Sequence, residues 1–157
     1  LVIQKRKHSF TLREVEARVV SVTKDCNCPL CNKSQKNKSY WHIILKPTKE
    51  GFKNFHVWLT ADAVYEDDPT AVSEDSQLGI FITRLESLGL AKAAKTVDEA
   101  LAEMNGKLFI WERAKLGTSS KEKWVPKQLI TEAKKCLKCE AEVKDGMKFC
   151  PNCGARL

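Results

Sequence analysis

An all-β fold with inserted helices, followed by a small separate hairpin, is what the sequence predicts, on three observations. Five short stretches read as strands, the first alternating apolar and polar residues with the period of two that marks a half-buried strand. Two amphipathic helical stripes fall between the third and fourth of these stretches. The chain then ends in Cys136, Cys139, Cys150 and Cys153, two C-x2-C pairs whose spacing belongs to a different kind of structure from the strands before them.

In chain order, residues 1–9 form a basic arm. A first strand is expected over Thr11–Thr23, where Val15, Ala17 and Val19 alternate with Glu14, Glu16 and Arg18. Asp25–Ser39 interrupts the pattern with Cys26, Cys28, Pro29 and Cys31 and a polar, lysine-bearing run. Tyr40–Pro47 reads as the second strand, with Trp41, Ile43 and Leu45 on one face and Tyr40, His42, Ile44 and Lys46 on the other. A turn around Gly51 leads to a third strand, Asn54–Thr60, with Phe55, Val57 and Leu59 inward and His56 and Trp58 outward, and the two strands pair as an antiparallel hairpin. Asp62–Gln77 reads as a long acidic connection. Ser76 caps a helix over Gln77–Leu88 with Leu78, Phe81, Ile82 and Leu85 as its stripe and Gly89 as its stop. Thr96 followed by Glu99 is a capping box for a second helix carrying Val97, Ala100, Leu101 and Met104, which ends at Asn105-Gly106. Lys107–Ala114 is the fourth strand, with Leu108 and Ile110 alternating with Phe109 and Trp111. Glu122–Leu129 is the fifth, and Pro126 restricts it to an edge, a bulge or an end.

Four soft ligands that two tight turns bring into tetrahedral reach suit zinc, so Cys136, Cys139, Cys150 and Cys153 are expected to hold one Zn2+. Iron fits the same thiolates. Pro151 favours the turn and Gly154 removes a side chain just past the last ligand. So few apolar side chains cover this hairpin that its fold is expected to depend on the metal. A second zinc site can form from Cys26, Cys28 and Cys31, whose fourth ligand is left to His42, His8, His56, water or a partner; the plain alternative is a loop of reduced thiols.

Hydrophobic residues are 43% and charged residues 30% of the 157, and no apolar run approaches the length of a membrane span. No secretory segment is visible, and the odd number of cysteines in metal-ligand spacings predicts an intracellular, reducing location, cytoplasmic or nucleoid-associated. The chain begins at Leu1 rather than Met, so an upstream segment is expected. The formal charge of +7 falls to about +5 once four thiolates bind one divalent ion, which still favours an anionic partner. A P-loop, a dinucleotide glycine fingerprint and H-E-x-x-H are all lacking, and the paired acids Asp67-Asp68 and Glu74-Asp75 have no catalytic partner near them in sequence, so no enzymatic activity is expected.

Three antiparallel strands, one or two helices and two more strands resemble the OB-fold, which implies a five-stranded OB-like barrel with inserted helices over residues 10–130, a linker at 131–135 and the metal hairpin at 136–157. The cysteine-bearing insertion between the first two strands resembles the C-terminal OB domain of the large subunit of replication protein A, although it contains three cysteines, Cys26, Cys28 and Cys31, without a fourth. Cys136, Cys139, Cys150, Cys153 and Gly154 resemble the zinc-ribbon family, whose members serve DNA, RNA and protein partners.

The OB resemblance implies single-stranded nucleic acid, DNA favoured over RNA, laid across the second and third strands. Trp58, Phe109 and Trp111, with Tyr40 and His42 beside them, are then the expected stacking residues, and Lys46, Lys53, Arg113, Lys115, Lys121 and Lys123 the expected phosphate contacts. Tryptophans also fill small cores, and a one-residue slip of a strand swaps its faces. The competing reading is a protein–protein interaction module in a nucleic-acid-processing assembly, docking through the barrel or the zinc ribbon.

Overall fold

A computed structural model of the protein describes residues 13–35, 38–131, 134–143 and 146–157. The basic arm, with His8, lies outside the described residues. In chain order the elements are β1 (Glu14–Lys24), α1 (Pro29–Ser34), β2 (Tyr40–Pro47), β3 (Phe55–Thr60), β4 (Val64–Tyr65), β5 (Asp68–Val72), α2 (Gln77–Ser87), α3 (Val97–Ala102), β6 (Leu108–Lys115), β7 (Glu122–Ile130), β8 (Lys134–Lys135) and β9 (Glu142–Val143).

The main sheet has the order β3-β2-β1-β6-β7, with every neighbouring pair antiparallel. It is not closed: β3 and β7 are its two edges, and no strand ladder joins them. The expectation of an OB-like barrel is therefore corrected to an open sheet carrying helices. The physical reason lies at the seam. The Trp58 carbonyl on β3, which a closing strand would use, accepts instead from Lys123 Nζ of β7 at 2.7 Å. Phe55 stacks on Trp124 there, with ring centroids 5.0 Å apart, and Pro126 brings no N–H to the edge of β7. The two edges meet through side chains rather than through a ladder.

The core lies between the inner face of this sheet and the helices α2 and α3. Ala17 and Val19 of β1, Ile43 and Leu45 of β2, Val57 and Leu59 of β3 and Phe81 and Leu85 of α2 are buried together. Burying each large apolar side chain of this set stabilises the fold by roughly 1.5–3 kcal/mol. α2 starts as its sequence predicts: the Ser76 hydroxyl accepts from Gly79 N at 2.9 Å. Gly79 is required at this point because a Cβ there would sit 2.1 Å from the Ser73 carbonyl oxygen. α3 is capped by Thr96, whose hydroxyl accepts from Glu99 N at 3.2 Å, while the Glu99 carboxylate accepts from Lys95 N at 2.8 Å. Trp41 Nε1 donates to Asp98 Oδ1 at 2.7 Å and ties β2 to α3.

Two further expectations change. The acidic connection contains the short hairpin β4–β5, organised by Asp68 Oδ1, which accepts from both the N–H and the hydroxyl of Thr70, and by Val64 and Val72, which lean on the core. On β6 the inward residues are Phe109 and Trp111, both fully buried, and not the outward rings that the strand pattern predicts. The register explains why: Ala17 lies opposite Phe109 and Val15 opposite Trp111, so the face that β1 turns inward carries both rings with it. Trp111 Nε1 donates to the Ala17 carbonyl at 3.1 Å, which satisfies its polar edge inside the core.

Candidate metal centres

Among the described residues, two groups of cysteine and histidine side chains converge so that their ligand atoms lie within 4.8 Å of one another: Cys136, Cys139, Cys150 and Cys153, and Cys26, Cys28, Cys31 and His42. Each is able to coordinate a metal ion, and soft thiolates with or without an imidazole are the donors that zinc takes in closed, structural sites.

The carboxy-terminal group is built from two matching knuckles. In the first, Glu140 N donates to the Cys136 carbonyl at 2.9 Å and Cys136 N to the Ala141 carbonyl at 2.9 Å; in the second, Gly154 N donates to Cys150 O at 2.9 Å and Cys150 N to Ala155 O at 2.8 Å. The residue just after each pair takes a left-handed backbone conformation, Glu140 at φ 58° and Gly154 at φ 72°. The sulfurs of Cys136 and Cys153 are 3.6 Å apart and those of Cys139 and Cys150 are 3.5 Å apart. These separations lie far beyond a disulfide bond and near the ~3.8 Å edge of a tetrahedron with Zn–S bonds of ~2.3 Å. The thiols are electrostatically divided. Cys139 is lowered to about 6, first by the Asn152 side chain and then by the backbone at Ala141. Cys153 is pushed up to about 12: the backbone at Ala155 favours its thiolate, but burial of the sulfur and the neighbouring sulfurs outweigh it. Four sulfurs this close need a cation before all can be thiolates.

Residues 135–157 match the zinc-ribbon domain family. The match covers this tail and none of the main sheet. No curated protein and no solved structure matches the chain.

The amino-terminal group assembles differently. Cys28 is the N-cap of α1, and its sulfur accepts from Cys31 N at 3.4 Å, an interaction that favours the thiolate and lowers its pKa. Pro29 at the first helical position fits that start. The chain before α1 is held to β2 by Asp25, whose carboxylate accepts from Ser39 Oγ at 2.9 Å and Tyr40 N at 3.2 Å, and by the Tyr40 hydroxyl, which donates to the Cys26 carbonyl. His42 on β2 brings a fourth donor atom to this group: its Nδ1 is 3.2 Å from Cys31 Sγ and 3.9 Å from Cys28 Sγ. Burial, with a smaller contribution from His56, lowers the His42 pKa and keeps the imidazole neutral, the form that ligates a metal.

The expected nucleic-acid residues are dispersed by this arrangement. Phe109 and Trp111 are in the core, Tyr40 and His42 are buried beneath the cysteine loop, and Trp58 is half-buried against His42 and Cys31. Lys123 lies partly buried on the Trp58 carbonyl, where desolvation lowers its pKa. Arg113 sits over the Trp124 ring and 4.0 Å from Glu122. Lys46, Lys53, Lys115 and Lys121 are exposed. Sequence reasoning names His42 for this group, with His56 among the other fourth-ligand options, and makes Trp58 a stacking residue; the structure brings His42 to the cysteines and sets His56 and Trp58 behind it. The signal for this was their shared face with His42 on paired strands.

Proposed function

We propose that the protein is an interaction module in which metal-held segments stiffen a surface for a protein partner. The observation that carries this reading is the exposure of large apolar side chains on the tail: Leu137 is fully exposed, and Phe149 and Leu157 are 60% and 45% exposed. Exposed apolar side chains concentrated on so short a segment mark a contact surface. A cleft of about 540 Å³ runs beside them, lined by Leu137, Val143, Met147 and Leu157, with Lys135 and Arg156 at its border. Charge complementarity with these cations and with the positive charge that the chain keeps when the tail holds its metal, about +5, favours a partner segment that carries apolar side chains beside carboxylates.

The test is a panning of the full chain against a displayed peptide library, followed by titration of the selected peptides. Apolar-acidic sequences that bind the native chain and lose at least tenfold in affinity to Leu137→Ala or Phe149→Ala support the reading. Selection of no such sequence overturns it. A single-stranded nucleic-acid reading keeps one support, the surplus of positive charge. In a parallel titration with oligo-dT, binding that falls steeply with salt and ignores both tail substitutions would favour that reading instead.

A further inference from the structure

The amino-terminal centre has an organised outer layer. His42 turns Nδ1 toward the sulfurs, and its other ring nitrogen, Nε2, lies 2.9 Å from His56 Nδ1. For Nδ1 to offer its lone pair to a metal, the ring proton must sit on Nε2, and His56 Nδ1 is placed to accept it. Beside these rings, Trp58 Nε1 donates to Cys31 Sγ at 3.3 Å. The Trp58 ring stacks on His42 with centroids 5.0 Å apart and planes 7° from parallel, whereas His42 and His56 lie side by side with centroids 5.1 Å apart, as their hydrogen bond requires. Sheet register creates this grouping: His42 lies opposite Trp58 and Ile44 opposite His56, so all three rings share the outer face of β2 and β3.

We infer that Cys26, Cys28, Cys31 and His42 form a second zinc centre of three sulfurs and one nitrogen, in which His56 is the positioning residue that fixes His42 as an Nδ1 ligand and Trp58 is the hydrogen-bond donor to the Cys31 thiolate. Four protein ligands leave no open position, so the ion is structural: it fastens α1 and its loop over the outer face of β2 and β3. Neutral imidazole in place of a fourth thiolate leaves the loaded centre with one negative charge, where the tail centre carries two. The Trp58 N–H disperses part of that charge, and the His42–His56 bond orients the imidazole, the usual work of groups just behind metal ligands. This inference rests on the loop and sheet alone, so it stands or falls separately from the peptide-binding role of the tail.

The experiment uses the full chain. Elemental analysis is expected to find two zinc ions per chain, and one in Cys150→Ser. Long-range proton–nitrogen NMR of the histidine rings is expected to show His42 ligated at Nδ1 with its proton on Nε2. His56→Phe keeps a ring at this position but removes the acceptor; competition with a chelator should show zinc at this centre weakened by roughly 10–100-fold. His56→Gln, whose amide oxygen can accept, should recover part of the loss, which a merely space-filling role for His56 does not predict. In the cobalt-substituted protein, Trp58→Phe should shift the thiolate-to-metal charge-transfer band. One zinc per chain in the native protein, ligation through Nε2, or an unchanged zinc affinity in His56→Phe overturns the proposal.

Discussion

The two cysteine centres of this protein solve the same coordination problem from opposite directions. In the tail, all four ligands come from two short knuckles, and among the described residues its strands, β8 and β9, are two residues each. Its buried core consists of Cys136, Val143 and Cys150, far too little apolar surface to hold a fold. In the loop, three cysteines are local, but the fourth ligand comes from β2, and the groups behind it come from β3. The first centre makes its own structure; the second borrows the geometry of a sheet that already has a large core.

That contrast predicts unequal consequences when each centre is broken. Cys150→Ser should abolish the ordered tail, because apparent binding energies of ~10 kcal/mol for a structural zinc are also folding energy where no other core exists. The main sheet should keep its thermal transition. His42→Ala should release the loop from the sheet while the strands stay paired, since the ladder of β2 with β1 and β3 does not depend on the imidazole. Amide hydrogen exchange reads both outcomes: protection lost across 135–157 in the first variant, and confined to residues around α1 in the second. Loss of protection throughout the sheet in either one would abolish the distinction.

The next effect concerns the sheet itself. Phe109→Ala should destabilise the main transition by about 3–5 kcal/mol, because it empties a fully buried site between β1 and the helices. Zinc content of the tail should not change. A substitution at an exposed stacking residue would cost little stability and would weaken binding to a single strand, so a nearly normal denaturation midpoint for Phe109→Ala would restore the outward placement expected from the sequence alone.

These outcomes track what is legible in the chain. The tail can be read from spacing because its ligands and turns are local. The five long strands and the caps of α2 and α3 can be read for the same reason, whereas α1 and the β4–β5 hairpin cannot: the pattern along residues 40–47 and the hydroxyls of Ser76 and Thr96 act within a few residues of themselves. The phase of β6 is not local. Leu108, Phe109, Ile110 and Trp111 are apolar on both faces, and only the pairing with Val15 and Ala17 decides which rings enter the core. His42 can be named beside the three cysteines from the sequence, but the place of His56 behind it depends on how β2 and β3 lie beneath the loop. Closure of the sheet is the least local property, set by whether two edges far apart in sequence present ladders or side chains to one another.

The smallest effect tests whether local signals matter energetically once the sheet is formed. Ser76→Ala removes the acceptor for Gly79 N and also the hydroxyl that donates to the Ser73 carbonyl at 2.6 Å. The expected cost is about 1 kcal/mol, read as a lower midpoint of the main denaturation transition, with zinc at both centres unaffected. The effect should stay that small because α2 is held mainly by Leu78, Phe81 and Leu85 in the shared core, which the cap does not touch. A cost as large as that of Phe109→Ala would mean that the start of α2 organises the core rather than merely completing it, and that the sheet, like the tail, depends on a local device.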